Sequence, residues 1–153
     1  MALVELIYHS RAAEPLEETA IAELALSAAA RNDELRLTGF LAAADGWFLQ
    51  VLEGDRATVS ELYHRIAVDP RHRELTLMRV RPIHARRFDR WNMGVAGESA
   101  LERSLLLRHG ATEHFDPASM SAASAHALLE ALAARAATAD RPGQSGSDPS
   151  GGR

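Results

Sequence analysis

The run GWFLQVLEG, residues 46–54, constrains this chain more than any other. Trp47, Phe48, Leu49, Val51 and Leu52 are bulky apolar residues bracketed by Gly46 and Gly54, which is the pattern of a buried strand. Gln50 sits in its middle. A primary amide buried there without partners costs a few kcal/mol, roughly 2–7 on transfer scales. The fold must therefore supply Gln50 with hydrogen-bond partners, or place it where a ligand does.

The pattern around this strand predicts the rest. LVELIY (3–8) reads as a first strand, and Pro15, Glu17 and Glu18 suit the opening turn of a helix. Ile21, Leu24, Ala25 and Ala28 follow helical spacing, and the small residues Ala28–Ala30 leave one helix face slim enough for a flat group to approach. LTGFLAA (37–43) and the Gln50 strand are joined by Asp45-Gly46, a hairpin signature. Asp55 is the expected N-cap of a second helix, in which Val59, Leu62, Tyr63 and Ile66 recur at helical spacing before Pro70. LTLMRVR (75–81) and a short WNMGV strand (91–95) complete a β-α-β-β-α-β-β order. That order predicts an α+β, ferredoxin-like βαββαββ sandwich with two additional C-terminal helices, near 98–109 and 118–137.

The expected division is a sensor-sized unit over 1–96, a helical extension over 97–138 packing on the sheet, and a disordered Gly/Pro/Ser-rich tail over 139–153. In the 153 residues, 17 basic and 21 acidic side chains are well mixed, with a net charge of −4. That balance leaves no footprint for nucleic acid or an anionic membrane. Basic residues gather only in RVRPIHARRFDR (79–90). Without cysteine, disulfides, thiolate metal sites and cysteine nucleophiles are excluded. The first residues lack the pattern of a secretory leader, and no apolar run reaches the ~20 residues of a membrane span, so a cytoplasmic protein is expected.

Strand parity puts Gln50 on one face with Phe48 and Leu52, opposite to Trp47, Leu49 and Val51, and Tyr8 on one face with Val4 and Leu6. Arg31 and Asn32 stand near the end of the first helix, and Arg65, Asp69 and His72 on or after the second. These are donors and acceptors with no evident nucleophile. Together they suit a neutral, flat, hydrogen-bonding heterocycle with a polar tail. Singly, each has an ordinary structural explanation: a core phenol, a helix C-cap, a solvated arginine. His64, Asp69 and His72 are the alternative hydrolase set, but they need not converge and no nucleophile is evident; as a metal site, H-x4-D-x2-H across a proline turn is a weak signal.

LIYHS (6–10), ARND (30–33) with LTGFL (37–41), GWFLQVLEG (46–54), LYHRIAVDPRH (62–72) and RRFDRWNMG (86–94) resemble, in order and spacing, the BLUF family of blue-light sensors that use a flavin. The resemblance is to the short type, without an output domain. It implies a non-enzymatic photoreceptor that holds FAD, or alternatively FMN, non-covalently between the two helices. By position, Tyr8 is the implied electron donor, Gln50 the switching amide, and Asn32 the residue on the carbonyl and imide edge of the ring. Arg65 is implied near the phosphate, and Asp69 and His72 near the ribityl chain and ring. Leu24, Ala28, Phe48, Leu52 and Ile66 are the implied walls, and Arg31 stands at a variable position. Trp91 and Met93, two apart on one strand, are expected to share a face, so that a two-residue register slip would exchange them beside Gln50. Signalling is expected through a protein partner or a change of homo-oligomer, dimer or larger. The rival expectation is a flavin-free ferredoxin-like ligand-binding or dimerisation module.

Overall fold

The computed structural model describes residues 2–139, so the expected disorder of the tail from residue 140 onward lies outside the described residues. Five strands form one sheet in the order β4-β1-β3-β2-β5: β1 (Leu3–Ala12), β2 (Thr38–Ala44), β3 (Trp47–Asp55), β4 (His72–Pro82) and β5 (Gly94–Ala96). Four helices accompany them: α1 (Glu18–Glu34), α2 (Arg56–Ala67), α3 (Arg103–His109) and α4 (Ala122–Ala139). β3 lies antiparallel between β1 and β2, β4 pairs antiparallel with the outer side of β1, and β5 pairs parallel with β2. This is the expected α+β sandwich.

The β2–β3 turn forms at Asp45-Gly46, whose φ values of 53° and 78° are both positive, as a tight hairpin turn requires. β2 and β3 can lie flush partly because of Gly39. A Cβ there would stand 2.1 Å from the Val51 carbonyl oxygen, so no other residue fits.

Alternation along β1 and β3 splits the interior into two cores. Val4, Leu6, Tyr8, Phe48 and Leu52 pack with Ile21 of α1 and with Val59, Leu62 and Ile66 of α2. On the opposite face Ile7, Trp47, Leu49 and Val51 pack with Leu101, Leu105 and Leu106, and with Leu128, Leu129 and Leu132 of α4. Each wholly buried leucine of α4 contributes about 1.5–3 kcal/mol, enough to hold the helix on the sheet. No helix among the described residues is long and apolar enough to cross a membrane.

Two expectations need correction. The last strand is shorter and later than 91–95, spanning only Gly94–Ala96. Trp91 and Met93 therefore precede it, in an irregular segment where strand parity does not operate. They fall on opposite faces of the sheet. Trp91 packs against Phe40 in the α4-side core, with ring centroids 5.5 Å apart, and Met93 joins the core beneath α1 and α2. They do not share the face that the expected two-residue exchange along one strand takes as its starting point. The first C-terminal helix is also shorter than expected, because 98–100 forms a separate 3-10 turn before α3.

Candidate functional site

Tyr8 and Gln50 are direct cross-strand partners on β1 and β3. The phenol of Tyr8 donates to Gln50 Oε1, and Gln50 Nε2 donates to Met93 Sδ at 3.1 Å. Tyr8 is 1% and Gln50 5% exposed, so the amide is satisfied within the core at both ends. A carbonyl acceptor meets the stronger donor, while the amide N–H₂ faces a thioether, which is a weak acceptor. Burial pushes the Tyr8 phenol well above its ordinary value, so it is a neutral donor across the physiological range.

The sheet presents this pair at the floor of a slot between α1 and α2. Leu24, Ser27, Ala28 and Arg31 line it from α1, Ile66, Asp69 and Arg71 from α2 and the turn beyond, and Tyr8, Leu41, Gln50 and His72 from the sheet. Helical spacing explains the α1 wall, since residues 24, 28 and 31 fall on one stripe. Ala28 and Ser27 keep it slim. The turn after α2 is braced by Asp69, whose Oδ1 accepts from the Arg71 N–H at 3.0 Å and whose Oδ2 accepts from Arg71 Nη2 at 2.6 Å. That arginine holds the Asp69 carboxyl down to about 2 against the opposing effect of burial. His72 lies 2.7 Å through Nδ1 from Ser10 Oγ, and its ring centroid stands 5.0 Å from that of Phe48. Burial, with Arg71 nearby, pushes the His72 imidazole down and favours its neutral form; Asp69 opposes this.

Asn32, wholly buried at the end of α1, donates from Nδ2 to the Asn92 carbonyl at 2.9 Å. Its Oδ1 has no partner, and neither does the buried Nε of Arg31. A buried acceptor and a buried donor left open beside a slot are each costly, on the order of 1–3 kcal/mol, unless a ligand answers them. An imide edge, with an N–H between two carbonyls, offers one donor and two acceptors. On hydrogen-bond chemistry the residues fit a flavin. The slot itself holds about 60 Å3, against roughly 300 Å3 or more for a typical small-molecule pocket. A larger cleft of about 420 Å3 opens between the start of α1 and the β2–β3 hairpin, but neither Tyr8 nor Gln50 lines it.

The structure thus gathers Tyr8, Leu24, Ala28, Arg31, Gln50, Ile66, Asp69 and His72 around one slot. Asn32, Phe48 and Leu52 are buried alongside without lining it. Arg65 stands apart: it pairs with Glu61 at 3.2 Å on the exposed side of α2. Arg71, Ser27 and Leu41 line the slot although sequence reasoning passed them over. Arg71 was legible only as part of the DPRH turn, and Ser27 only as the helical neighbour of Leu24 and Ala28.

The family description "Sensors of blue-light using FAD" matches residues 3–94. The chain belongs to the BLUF family. The solved structure of BlrB, a BLUF protein in its dark state, shares 32% identity at a TM-score of 0.73, covering 88% of this chain and 97% of that one. The photo-activated state of BlsA shares 26% at a TM-score of 0.75, covering 86% and 94%. Among curated proteins, the photoactivated adenylate cyclase subunit beta of Euglena gracilis is 34% identical over 100 residues. That stretch is 65% of this chain but only 12% of the cyclase subunit. BLUF domains bind FAD, in some cases FMN, as light sensors and are not themselves catalytic.

Proposed function

We propose that this BLUF protein senses blue light through the Tyr8–Gln50–Met93 chain of hydrogen bonds and passes the change to a protein partner. The observation that carries this reading is the placement of Gln50, with Tyr8 on its carbonyl end and Met93 on its amino end. Bound in the slot, the flavin supplies blue-light absorption and an excited state that is strongly oxidising. Tyr8 is the residue poised to give up an electron, and its proton has a path along the existing bond to Gln50 Oε1. For no bare charge to be left in a dry pocket, Gln50 would take that proton on Oε1 and release one from Nε2, so that electron and proton both end on the flavin.

Gln50 then acts as the switch because its two ends differ while its shape is almost symmetrical. Inverting the amide turns its carbonyl from Tyr8 and withdraws the N–H₂ from Met93, with little change in volume. The bond to Met93 that inversion gives up is a weak one. Arg31, Asn32 and His72 serve to hold and orient the ring, and Leu24, Ala28, Phe48, Leu52 and Ile66 to keep water out. Arg71, paired with Asp69, stands at the slot edge with Arg31, where cationic groups suit a phosphate-bearing tail.

In this reading residues 1–96 are the sensor and 97–138 an extension through which a partner, or a second copy of the chain, is engaged. The cytoplasmic setting rests on the sequence alone. A visible spectrum before and after blue light tests the proposal. The expected result is a yellow protein whose flavin band moves reversibly to the red. Gln50→Leu keeps the colour and loses that shift; a full shift in this variant refutes the role of Gln50. A colourless protein that takes up no added flavin favours the ligand-binding or dimerisation alternative.

A further inference from the structure

The segment joining β4 to β5 carries Met93 to Gln50; it is fastened near both ends, with one backbone bond between, from Gly39 N–H to the Trp91 carbonyl at 3.1 Å. At its far end, Asn32 Nδ2 donates to Asn92 O at 2.9 Å and Asn92 Nδ2 to Leu37 O at 3.2 Å. At its start the fastening comes from the opposite face of the sheet. Glu53, three residues beyond Gln50 on β3, is wholly buried. Its Oε2 accepts the Arg87 N–H at 2.7 Å, and its Oε1 accepts the Phe88 N–H and the Thr38 hydroxyl, each at 3.0 Å. Arg86 closes the arrangement from Nη1, donating to Thr38 Oγ1 at 2.9 Å and to the Glu53 carbonyl at 3.0 Å. Between the two fastenings, Asp89 and Arg90 are exposed.

A buried carboxylate is a costly way to fill a core, since an apolar side chain would fill the same volume without desolvating a charge. What an apolar side chain cannot do is grip two successive backbone N–H groups of an irregular segment. Phe88, itself wholly buried against Phe40 and His126, is seated by that grip. We infer that Glu53 is a positioning residue for the Gln50–Met93 contact: it pins residues 86–88 as a pivot and confines light-driven movement to 89–93. The inference rests on the proposed switch at Gln50 and adds to it the residue that holds the switch's acceptor in place.

Glu53→Gln tests it. The variant keeps the shape but turns one oxygen into an N–H₂ that faces a backbone donor. In flavin-free protein carrying Trp47→Phe, so that Trp91 is the single indole, exchange of the Arg87 and Phe88 amides rises about tenfold and Trp91 emission changes. With flavin bound, the red shift keeps its full size, because Tyr8 and Gln50 are intact, while dark recovery changes by about threefold or more. Leu105→Ala, a comparable loss of stability on α3, serves as the control and leaves recovery unaltered. Wild-type exchange and recovery in Glu53→Gln overturn the inference, and so does an equal effect in Leu105→Ala. If Glu53→Gln does not fold, Thr38→Val removes a single donor from the same carboxylate and carries the same readouts. Failure of Gln50→Leu to abolish the shift sinks the switch itself. Loss of the shift there, with a silent Glu53→Gln, sinks only the role of Glu53.

Discussion

Glu5 on β1 and Glu53 on β3 are direct cross-strand partners, and both carboxylates are wholly buried. Like charges so placed repel. Each is answered by a different set of groups. Glu5 meets Arg79 Nη2 at 2.8 Å, Arg81 Nη2 at 3.2 Å and His126 Nε2 at 3.0 Å, while Glu53 takes the backbone N–H groups of Arg87 and Phe88. The sheet interior thus ties β4 and α4 to one carboxylate and the Met93 segment to the other.

Acid should therefore weaken the protein through Glu5. Burial pushes this carboxyl up, but His126 and Arg79 outweigh burial and hold it at about 2, against an ordinary 4.5. A depressed carboxyl stabilises the fold above its ordinary value and loses that contribution as pH falls from about 4.5 toward 2. The linkage is at most roughly 3 kcal/mol. Urea melts of wild type and Glu5→Gln should differ most near pH 6 and converge near pH 2. A difference independent of pH would show that Glu5 carries no such linkage.

Tyr8→Phe removes the donor to Gln50 Oε1 and the redox-active phenol together. The expected protein is folded and yellow, less stable by about 1–3 kcal/mol because a buried acceptor is left open, and without the normal red shift. Absorption spectra under blue light, paired with a thermal melt, check both halves. A normal shift would remove Tyr8 from the mechanism.

Asn32→Ala deletes both the open acceptor Oδ1 and the bond to Asn92 O. Flavin affinity should fall by about tenfold or more, equivalent to about 1.4 kcal/mol. Fluorescence titration of apoprotein with FAD measures it. Unchanged affinity would mean that the open carbonyl of Asn32 does not face the ring.

Met93 and Trp91 should respond differently because they occupy different faces. Met93→Ala takes the acceptor from Gln50 Nε2 and should alter the dark spectrum and the rate of recovery. Trp91→Phe keeps an aromatic ring against Phe40 and should leave the dark spectrum in place. Spectra of the two variants side by side decide this, and an effect in Trp91→Phe equal to that in Met93→Ala would contradict the assignment.

Gly39→Ala should cost several kcal/mol, on the order of 3 or more, since the new Cβ meets backbone that cannot yield. The failure should show first as loss of flavin binding, because Gly39 N–H also holds the Trp91 carbonyl at 3.1 Å. A chemical melt with wild-type midpoint would disprove the close approach.

Residue pattern alone determined the order of elements, the Asp45-Gly46 hairpin, the second helix behind Asp55, and the faces of β1 and β3. These follow from local periodicity, which repeats every two residues in a strand and every 3.6 in a helix. The same arithmetic put Tyr8 and Gln50 on faces that could meet. Tertiary structure decided what periodicity cannot encode. It set the irregular segment before β5 so that Trp91 and Met93 part to opposite faces, and it brought Arg71 rather than Arg65 to the slot. It also paired Glu53 with the backbone of residues 87 and 88. Each of these is a choice among partners far apart in the chain, made by burial and by the need to satisfy polar groups, and no repeat in the sequence records it.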